Sequence, residues 1–325
     1  MKKIIVILLI IAVGIGGYFW FNNSEPAFNQ KVSILNNSQD GKIVKKEKID
    51  IPGFIKENFA SKAPEGEIER IKNLEFYYIE YKSENENMGA YMIKPKKDGD
   101  YPVFIYNRYG KQKRRRKRTE LTWLSGFSSQ NYVLISPQYK GEYKEGQEDF
   151  VCNDINEIMD FSPLIKSLPF TDANNIVMAG RSRGGSLTYQ AVKNNFPLQA
   201  AVVIGAPTDL IQLYNKGSHG QKEFLEEKLG GAPENNKAKY KVKSPYYWVD
   251  KIDVPILIMH GGQDWQINPS HPKKLYSKLE KLNQVDHKLK IFPEGNHMLD
   301  NKQEINNKKI DLMFKWFQNY SDIKK

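Results

Sequence analysis

Short apolar runs alternate along this chain with segments whose apolar residues recur every three or four positions. An apolar run of four to six residues, bounded by polar residues, predicts a strand that is buried on both faces. Such strands belong to parallel sheets, and the periodic segments between them predict helices on both faces of the sheet. The predicted strands lie at 102–106, 132–135, 176–179, 200–204, 254–259 and 288–292.

Two regions depart from this simple alternation. Leu74–Tyr81 alternates apolar and polar residues, which predicts a strand, and Gly89–Ile93 suits its partner in a β-hairpin before the parallel strands. Residues 208–247 are longer than a crossover connection needs and contain charged helical segments. We expect them to form a small helical insertion over the carboxyl edge of the sheet, where ligands bind in such folds. Further helices are predicted at about Glu57–Lys72, at Asp154–Lys166 and at Ile305–Tyr320.

The first fifty residues differ from the rest. A lysine pair precedes residues 4–21, which carry no charge, end in an aromatic cluster and would rise ~27 Å as a helix. We therefore expect residues 1–21 to be a membrane anchor, with a cleaved signal peptide as the alternative. Either segment would export the remainder of the chain, as an anchored or a secreted protein. The polar residues 22–50 are expected to be a tether, and 51–325 a single globular domain.

Composition narrows the possible chemistry. The chain has 325 residues, of which 40% are hydrophobic and 12% aromatic, and this excludes a wholly disordered protein. Its single cysteine, Cys152, excludes a disulfide within the chain and a zinc site built from several thiolates. We expect neither a metal nor an organic cofactor. The net charge of +11 favours contact with anionic surfaces but does not specify an activity.

The most informative motif is Gly180–Gly185, which reads G-R-S-R-G-G and stands between a predicted strand and a predicted helix. In that setting G-x-S-x-G places a serine nucleophile, here Ser182, on a sharp turn. The hydroxyl needs a histidine as base and a carboxylate to orient the histidine, in the chain order Ser, Asp or Glu, His. Asp264 and His297 each follow a later predicted strand and meet this requirement. The backbone N–H groups of Arg183 and Tyr109 are the predicted donors to the oxyanion.

These motifs resemble those of one enzyme family. The G-x-S-x-G-G turn, the strand ending H-G-x-x-D at His260–Asp264 and the last loop ending in His297 are similar to the catalytic domain of the prolyl oligopeptidase family. The similarity covers roughly residues 70–320. It implies an α/β-hydrolase fold and acyl transfer through a triad of Ser182, Asp264 and His297. A prolyl-oligopeptidase-like serine peptidase is therefore the favoured hypothesis.

Two departures from the family pattern bear on the substrate. The family's peptidases often carry an N-terminal β-propeller, and we expect none in this chain. The loop that usually reads His-Gly-Gly is Arg108-Tyr109-Gly110 here. Stand-alone domains of this type resemble esterases as much as peptidases, so a carboxylesterase acting on small or anionic esters is the alternative. A non-catalytic surface binding protein on a hydrolase scaffold is less favoured, because all three triad residues are present.

Basic residues lie close to the predicted site. Lys111–Arg118 consists almost wholly of lysine and arginine, and it is either a solvated loop or an electropositive rim for anionic substrates, wall polymers or lipid headgroups. Arg108 and Arg181 are predicted to bind substrate, with a structural ion pair as the alternative for Arg181. The expected partners are a peptide or small-molecule substrate and a membrane through residues 4–21, and no nucleic acid.

Overall fold

One mixed sheet organises the part of the chain that this computed structural model describes, which is residues 33–34, 40–50, 71–84, 86–110, 124, 131–139 and 154–322. The strands are β1 (Ser33–Ile34), β2 (Ile43–Ile49), β3 (Leu74–Ser83), β4 (Glu86–Pro95), β5 (Tyr101–Asn107), β6 (Val133–Pro137), β7 (Thr171–Arg181), β8 (Ala200–Ile204), β9 (Ile256–Gly261) and β10 (His287–Phe292). The helices are α1 (Asp154–Met159), α2 (Phe161–Ser167), α3 (Arg183–Lys193), α4 (Leu210–Lys216), α5 (His219–Leu229), α6 (Pro233–Val242), α7 (Ser270–Leu282) and α8 (Gln303–Gln318).

The order of the strands brings the ends of the parallel strands together. Across the sheet the order is β1-β2-β3-β4-β6-β5-β7-β8-β9-β10. From β6 to β10 all neighbouring strands are parallel, whereas β1 to β4 extend the sheet beyond β6 in antiparallel pairs. The carboxyl ends of β5, β7, β8, β9 and β10 therefore meet at one edge, and the loops that follow them are neighbours. This is the α/β-hydrolase architecture that the sequence predicted.

The side chains of alternate residues in the central strands belong to two separate hydrophobic cores. In β5, Val103 and Ile105 belong to one hydrophobic cluster, and Phe104 and Tyr106 to the other. The first cluster packs against α2, α3 and α7, and the second packs against α8, which contributes Phe317. Both clusters consist of buried residues, which explains why these strands read as continuous apolar runs.

Two details differ from the sequence prediction. The helix expected at Asp154–Lys166 is two helices, α1 and α2, which meet at Asp160. Pro163 falls in the first turn of α2, where a missing N–H costs no helical hydrogen bond, and so it starts a helix there. Residues 43–49, predicted to belong to the tether, form β2, which pairs with β3. Only Ile43, Glu47 and Ile49 are buried, and this partial alternation gave a weak sequence signal.

Several predictions fall outside the described residues. These are the anchor at 4–21, most of the helix at 57–72, the basic run at 111–118 and Cys152. Among the helices that the structure does describe, none has the length and apolar character needed to cross a bilayer.

Candidate active site

Ser182 forms the whole of the turn between β7 and α3. Its φ of 52° and ψ of −117° are outside the regions that a residue with a side chain normally adopts. The turn is fixed by hydrogen bonds from the Ser182 N–H to the carbonyl of Ile204 (2.7 Å) and from the Ser186 N–H to the carbonyl of Ser182 (3.1 Å). A strained, partly exposed serine at a strand-to-helix turn is the geometry of a nucleophile elbow, as predicted.

The glycines beside Ser182 make this turn sterically possible. A Cβ atom at Gly180 would lie 2.1 Å from the carbonyl oxygen of Gly184, and one at Gly184 would lie 2.0 Å from the carbonyl oxygen of Asn107. Both distances are well below the closest approach of two non-bonded heavy atoms, so both positions require glycine. The spacing of the motif therefore follows from the packing of β7, α3 and the end of β5 against one another.

Asp264 occupies the loop after β9, and its two carboxylate oxygens have different roles. The Oδ1 atom accepts hydrogen bonds from the backbone N–H groups of Gln266 and Ile267, each at 2.9 Å. Oδ2 lies 2.7 Å from Nδ1 of His297 and 3.1 Å from Nε2 of His260. Burial alone would raise the pKa of Asp264, but hydrogen bonds from the two histidines, the electrostatic attraction of the His297 ring and the Ile267 N–H together hold that pKa well below its usual range. The carboxylate is therefore ionised at neutral pH.

His297 lies in the loop after β10 and connects the other two residues. Its Nδ1 is 2.7 Å from Oδ2 of Asp264, and its Nε2 is 2.9 Å from Oγ of Ser182. With the Nδ1 proton donated to the carboxylate, Nε2 is the acceptor for the serine proton. The three loops that sequence reasoning selected thus converge at the carboxyl edge of the sheet, with all three side chains in hydrogen-bond contact.

His260, the first residue of the H-G-x-x-D motif, has a structural role. Its side chain is completely buried, and Nε2 lies 2.8 Å from the carbonyl oxygen of Ile267 as well as 3.1 Å from Asp264. Both neighbours are acceptors, so the proton is on Nε2. The contact with the triad carboxylate was not predicted, although the i, i+4 spacing of His260 and Asp264 in the H-G-x-x-D motif was a visible signal.

The predicted oxyanion donors lie on two segments that touch. Arg183 is the first residue of α3, and the N–H groups of a first helical turn have no intrahelical acceptor. The end of β5 contacts the same helix, because Asn107 donates through Nδ2 to Oγ1 of Thr188 at 3.1 Å. Tyr109 follows two residues later, and its ring centroid is 5.4 Å from the Arg181 guanidinium carbon. The assignment of the Arg183 and Tyr109 N–H groups to the oxyanion stays a prediction.

The arginine side chains around the site make contacts within the protein rather than toward solvent. Arg108 is fully buried and donates to the carbonyls of Tyr109, Gly110 and Gln138 at 3.0, 2.9 and 2.7 Å. The Arg183 side chain forms a buried ion pair with Asp154. The guanidinium carbons of Arg108 and Arg183 each lie 4.6 Å from the ring centroid of Tyr139. Sequence reasoning missed Asp154 and Tyr139, which no motif marks.

These contacts correct the substrate-binding roles predicted for Arg108 and Arg181. The Arg108 guanidinium shapes the loop after β5, because it donates hydrogen bonds to three backbone carbonyls. Arg181 is also buried and donates to the carbonyl of Met298 (2.8 Å) and to Oδ2 of Asp300 (3.3 Å). The structural ion pair that was the alternative for Arg181 is the one observed.

The insertion borders the loop that carries Asp264. Helices α4, α5 and α6 enclose a small core of their own, formed by Leu210, Leu225, Leu229 and Tyr240. Nε2 of Gln221 in α5 donates to the carbonyl of Gln266, two residues after Asp264, at 2.9 Å. The predicted helical insertion at 208–247 is therefore confirmed and contacts the site. Across the described ranges of the chain, no group of three or more His, Cys, Asp or Glu side chains is arranged to hold a metal ion.

Comparison with known proteins agrees with this geometry. A family model described as the prolyl oligopeptidase family matches residues 118–324, which is more than half of the chain. The chain belongs to the prolyl oligopeptidase family. It is accordingly a serine hydrolase, as predicted, and the mixed sheet is the α/β-hydrolase fold of its relatives.

Individual relatives differ in length from this chain. A Bacillus subtilis protein described as "Uncharacterized peptidase YtmA" is 27% identical over 213 residues, which are 65% of this chain and 82% of that protein. The match to acylamino-acid-releasing enzyme 1 of rice covers only 24% of that protein. Acylaminoacyl peptidase of Pyrococcus horikoshii aligns with a TM-score of 0.68 at 19% identity, over 79% of this chain and 43% of that one. A Klebsiella pneumoniae protein described as "Putative Dienelactone Hydrolase" aligns with a TM-score of 0.55 at 17% identity, over 76% of this chain and 99% of that one.

Proposed function

We propose that this protein hydrolyses acyl bonds through a covalent acyl-enzyme formed on Ser182. The observation that carries the proposal is the continuous hydrogen-bonded path from Ser182 Oγ through His297 to Asp264, with contacts of 2.9 and 2.7 Å. A serine hydroxyl is a weak nucleophile at neutral pH, and such a path is what activates it.

Each residue then has a defined step. Nε2 of His297 takes the proton from Ser182 as Oγ attacks the carbonyl carbon, and later gives that proton to the leaving group. Asp264, kept ionised, holds the Nδ1–H tautomer of His297 and stabilises the imidazolium as it forms. The N–H groups of Arg183 and Tyr109 donate to the tetrahedral oxyanion. A water molecule activated by His297 then releases the acyl group from Ser182.

A peptide is the favoured substrate. The support is membership of a peptidase family and similarity to YtmA, whose length this chain largely covers. Hydrolysis of a small carboxylic ester is the second candidate. It is supported by the dienelactone hydrolase, which aligns along 99% of its own length and so has the same overall extent as this domain.

A fluorophosphonate probe tests the nucleophile. The purified protein should be labelled covalently, and Ser182→Ala should lose the labelling entirely because Oγ is the only atom removed. Thermal melting should show that the variant is folded. Labelling of Ser182→Ala at the wild-type level would refute the assignment.

Assays on short aryl esters and on proline-containing peptide amides separate the two substrate classes. A peptidase should cleave both, because amide cleavage demands more of the leaving-group step and activated esters are easier substrates. Turnover of esters with no cleavage of any amide would replace the peptidase hypothesis with the esterase hypothesis.

We further propose that the domain acts outside the cytoplasm, attached through residues 4–21. The support is the uncharged apolar segment behind a lysine pair. Fractionation of cells that produce a C-terminally tagged chain should recover the tag with membranes, accessible to external protease. Recovery in the cytosolic fraction would contradict this location.

A further inference from the structure

The loop that carries His297 must hold its side chain in two hydrogen bonds at once. This loop runs from Pro293 to Lys302, between β10 and α8, so regular secondary structure does not fix its backbone. Leu299, two residues after the histidine, has a φ of 53°, which is unfavourable for a residue with a branched side chain. Such a conformation persists only where surrounding contacts impose it. The contacts of Met298 and Leu299 therefore bear directly on the position of His297.

Two buried basic side chains donate hydrogen bonds to the carbonyls of these residues. Nη2 of Arg181 donates to the Met298 oxygen at 2.8 Å, and Nζ of Lys309 donates to the Met298 oxygen at 3.3 Å and to the Leu299 oxygen at 3.2 Å. Arg181 and Lys309 come from different elements, the end of β7 and the middle of α8. Because Arg181 directly precedes Ser182, its side chain couples the nucleophile turn to the histidine loop.

Lys309 is an unusual residue at a buried position. The residue is 2% exposed, and the described residues place no carboxylate within ion-pair distance of its Nζ. Burial, and then the charge of Arg181, lower the pKa of Lys309 to about 6, against an opposing effect of Asp300. An apolar side chain would fill such a site at lower cost, since a buried amine gives up its hydration. The hydrogen bonds to the two carbonyls are what the lysine adds.

We propose that Arg181 and Lys309 form a carbonyl clamp that positions His297 against Ser182, which makes helix α8 a support of the catalytic site. Neither side chain touches the reacting atoms, so both are positioning residues. Arg181 fixes the loop relative to the nucleophile, and Lys309 fixes it relative to the helix that follows. The proposal rests on the proposed role of the triad.

Lys309→Met is the decisive variant, because methionine keeps an unbranched stem and removes only the donor. Lys308→Met is its matched control, since Lys308 is an exposed neighbour on the same helix. We expect Lys309→Met in the purified full chain to react with the fluorophosphonate probe about 10- to 100-fold more slowly, because a small displacement of a catalytic group lowers a rate by such a factor. On an aryl ester, kcat should fall while KM stays near the wild-type value. The melting temperature should be unchanged or higher, and Lys308→Met should match the wild type in every measurement.

The outcomes separate the clamp from the triad. Wild-type labelling that is absent in Ser182→Ala establishes the nucleophile independently of Lys309. Given that result, a wild-type labelling rate in Lys309→Met overturns the clamp. A slower labelling rate in Lys309→Met together with a melting temperature below that of the wild type also overturns the clamp. The lysine would then support the fold in general rather than His297.

Discussion

At the scale of single residues, two histidines contact one carboxylate oxygen and have different roles. His297 and His260 both lie within 3.1 Å of Oδ2 of Asp264, but only His297 reaches Ser182. The second nitrogen of His260, Nδ1, is buried and has no hydrogen-bond partner among the residues that the structure describes. His260 is therefore a donor to the triad carboxylate and to Ile267 and takes no part in proton transfer with the serine.

Replacement of His260 should weaken the site through Asp264. His260→Leu removes one donor from the carboxylate and leaves the Ile267 carbonyl buried without that donor. A hydrogen bond to a charged group contributes about 1.5–3 kcal/mol, so we expect kcat/KM on an aryl ester to fall about tenfold or more. His260→Gln, which can present an N–H near the position of Nε2, should recover part of the loss. Equal activity of the leucine variant and the wild type would show that His260 does not support Asp264.

At the scale of elements, the site depends on how closely β5 approaches the start of α3. The carbonyls of Asn107 and Arg108 would lie 2.0 and 2.5 Å from a Cβ atom at Gly184. Thr188, one turn further along α3, accepts from Asn107 and donates to the Gly184 carbonyl at 2.9 Å. The predicted oxyanion donors lie on either side of this contact, so its spacing sets the distance between them.

Gly184→Ala should separate the two elements. The added methyl group meets backbone atoms that cannot rotate away, and overpacking of this kind costs about 1–3 kcal/mol of unfolding free energy. Urea denaturation should show that loss, with reduced labelling by the fluorophosphonate probe. Gly220→Ala is the matched control, because its Cβ would meet no atom of the described part of the chain within 4 Å and the residue lies on an exposed part of α5. It should be neutral or stabilise the protein by up to about 1 kcal/mol. Equal stability of the two variants would contradict the close contact.

At the scale of the whole molecule, the large pKa shifts of three buried groups act in the same direction on stability. Burial lowers the pKa of Lys309 to about 6 and, together with the neighbouring basic side chains of His260 and Lys274, that of His271 to about 4. Asp264 keeps a pKa well below its usual range because of its histidine donors, although burial opposes this. In each case the unfolded chain binds a proton at a pH where the folded protein does not. A fall in pH therefore favours unfolding in each of the three pH ranges between the folded and the unfolded pKa of these groups.

The difference in unfolding free energy between wild type and Lys309→Met isolates the pH range in which Lys309 contributes. The lysine is protonated below pH 6 in both states and neutral above its ordinary pKa of 10.5 in both, so its contribution changes only between these values. As the pH is raised from 6 toward 9, the wild type should gain stability relative to the variant, by at most about 1.4 kcal/mol per pH unit. Urea titrations at several pH values measure this slope. A difference that does not vary with pH would show that Lys309 has its ordinary pKa.

The sequence was sufficient for features that depend on local pattern. Continuous apolar runs indicate strands with one face buried in each of the two cores. They predicted the bounds of β5 to β10 to within a few residues at most ends. The strand-turn-helix setting selected Ser182, and the requirement for loops after later strands selected Asp264 and His297. The three side chains meet because the carboxyl ends of parallel strands share one edge, so chain order and strand position largely determine which loops are neighbours.

Tertiary structure decided what the charged side chains do. Arg108 and Arg181 look like substrate contacts in the sequence, but folding brings backbone carbonyls from Gln138 and Met298 within reach of their guanidinium groups. No motif pairs Asp154 with Arg183, or Lys309 with the histidine loop, because these partners are distant in sequence and come together only through packing. A cation's role depends on which acceptors surround it in three dimensions, whereas the strand pattern depends only on which residues avoid water.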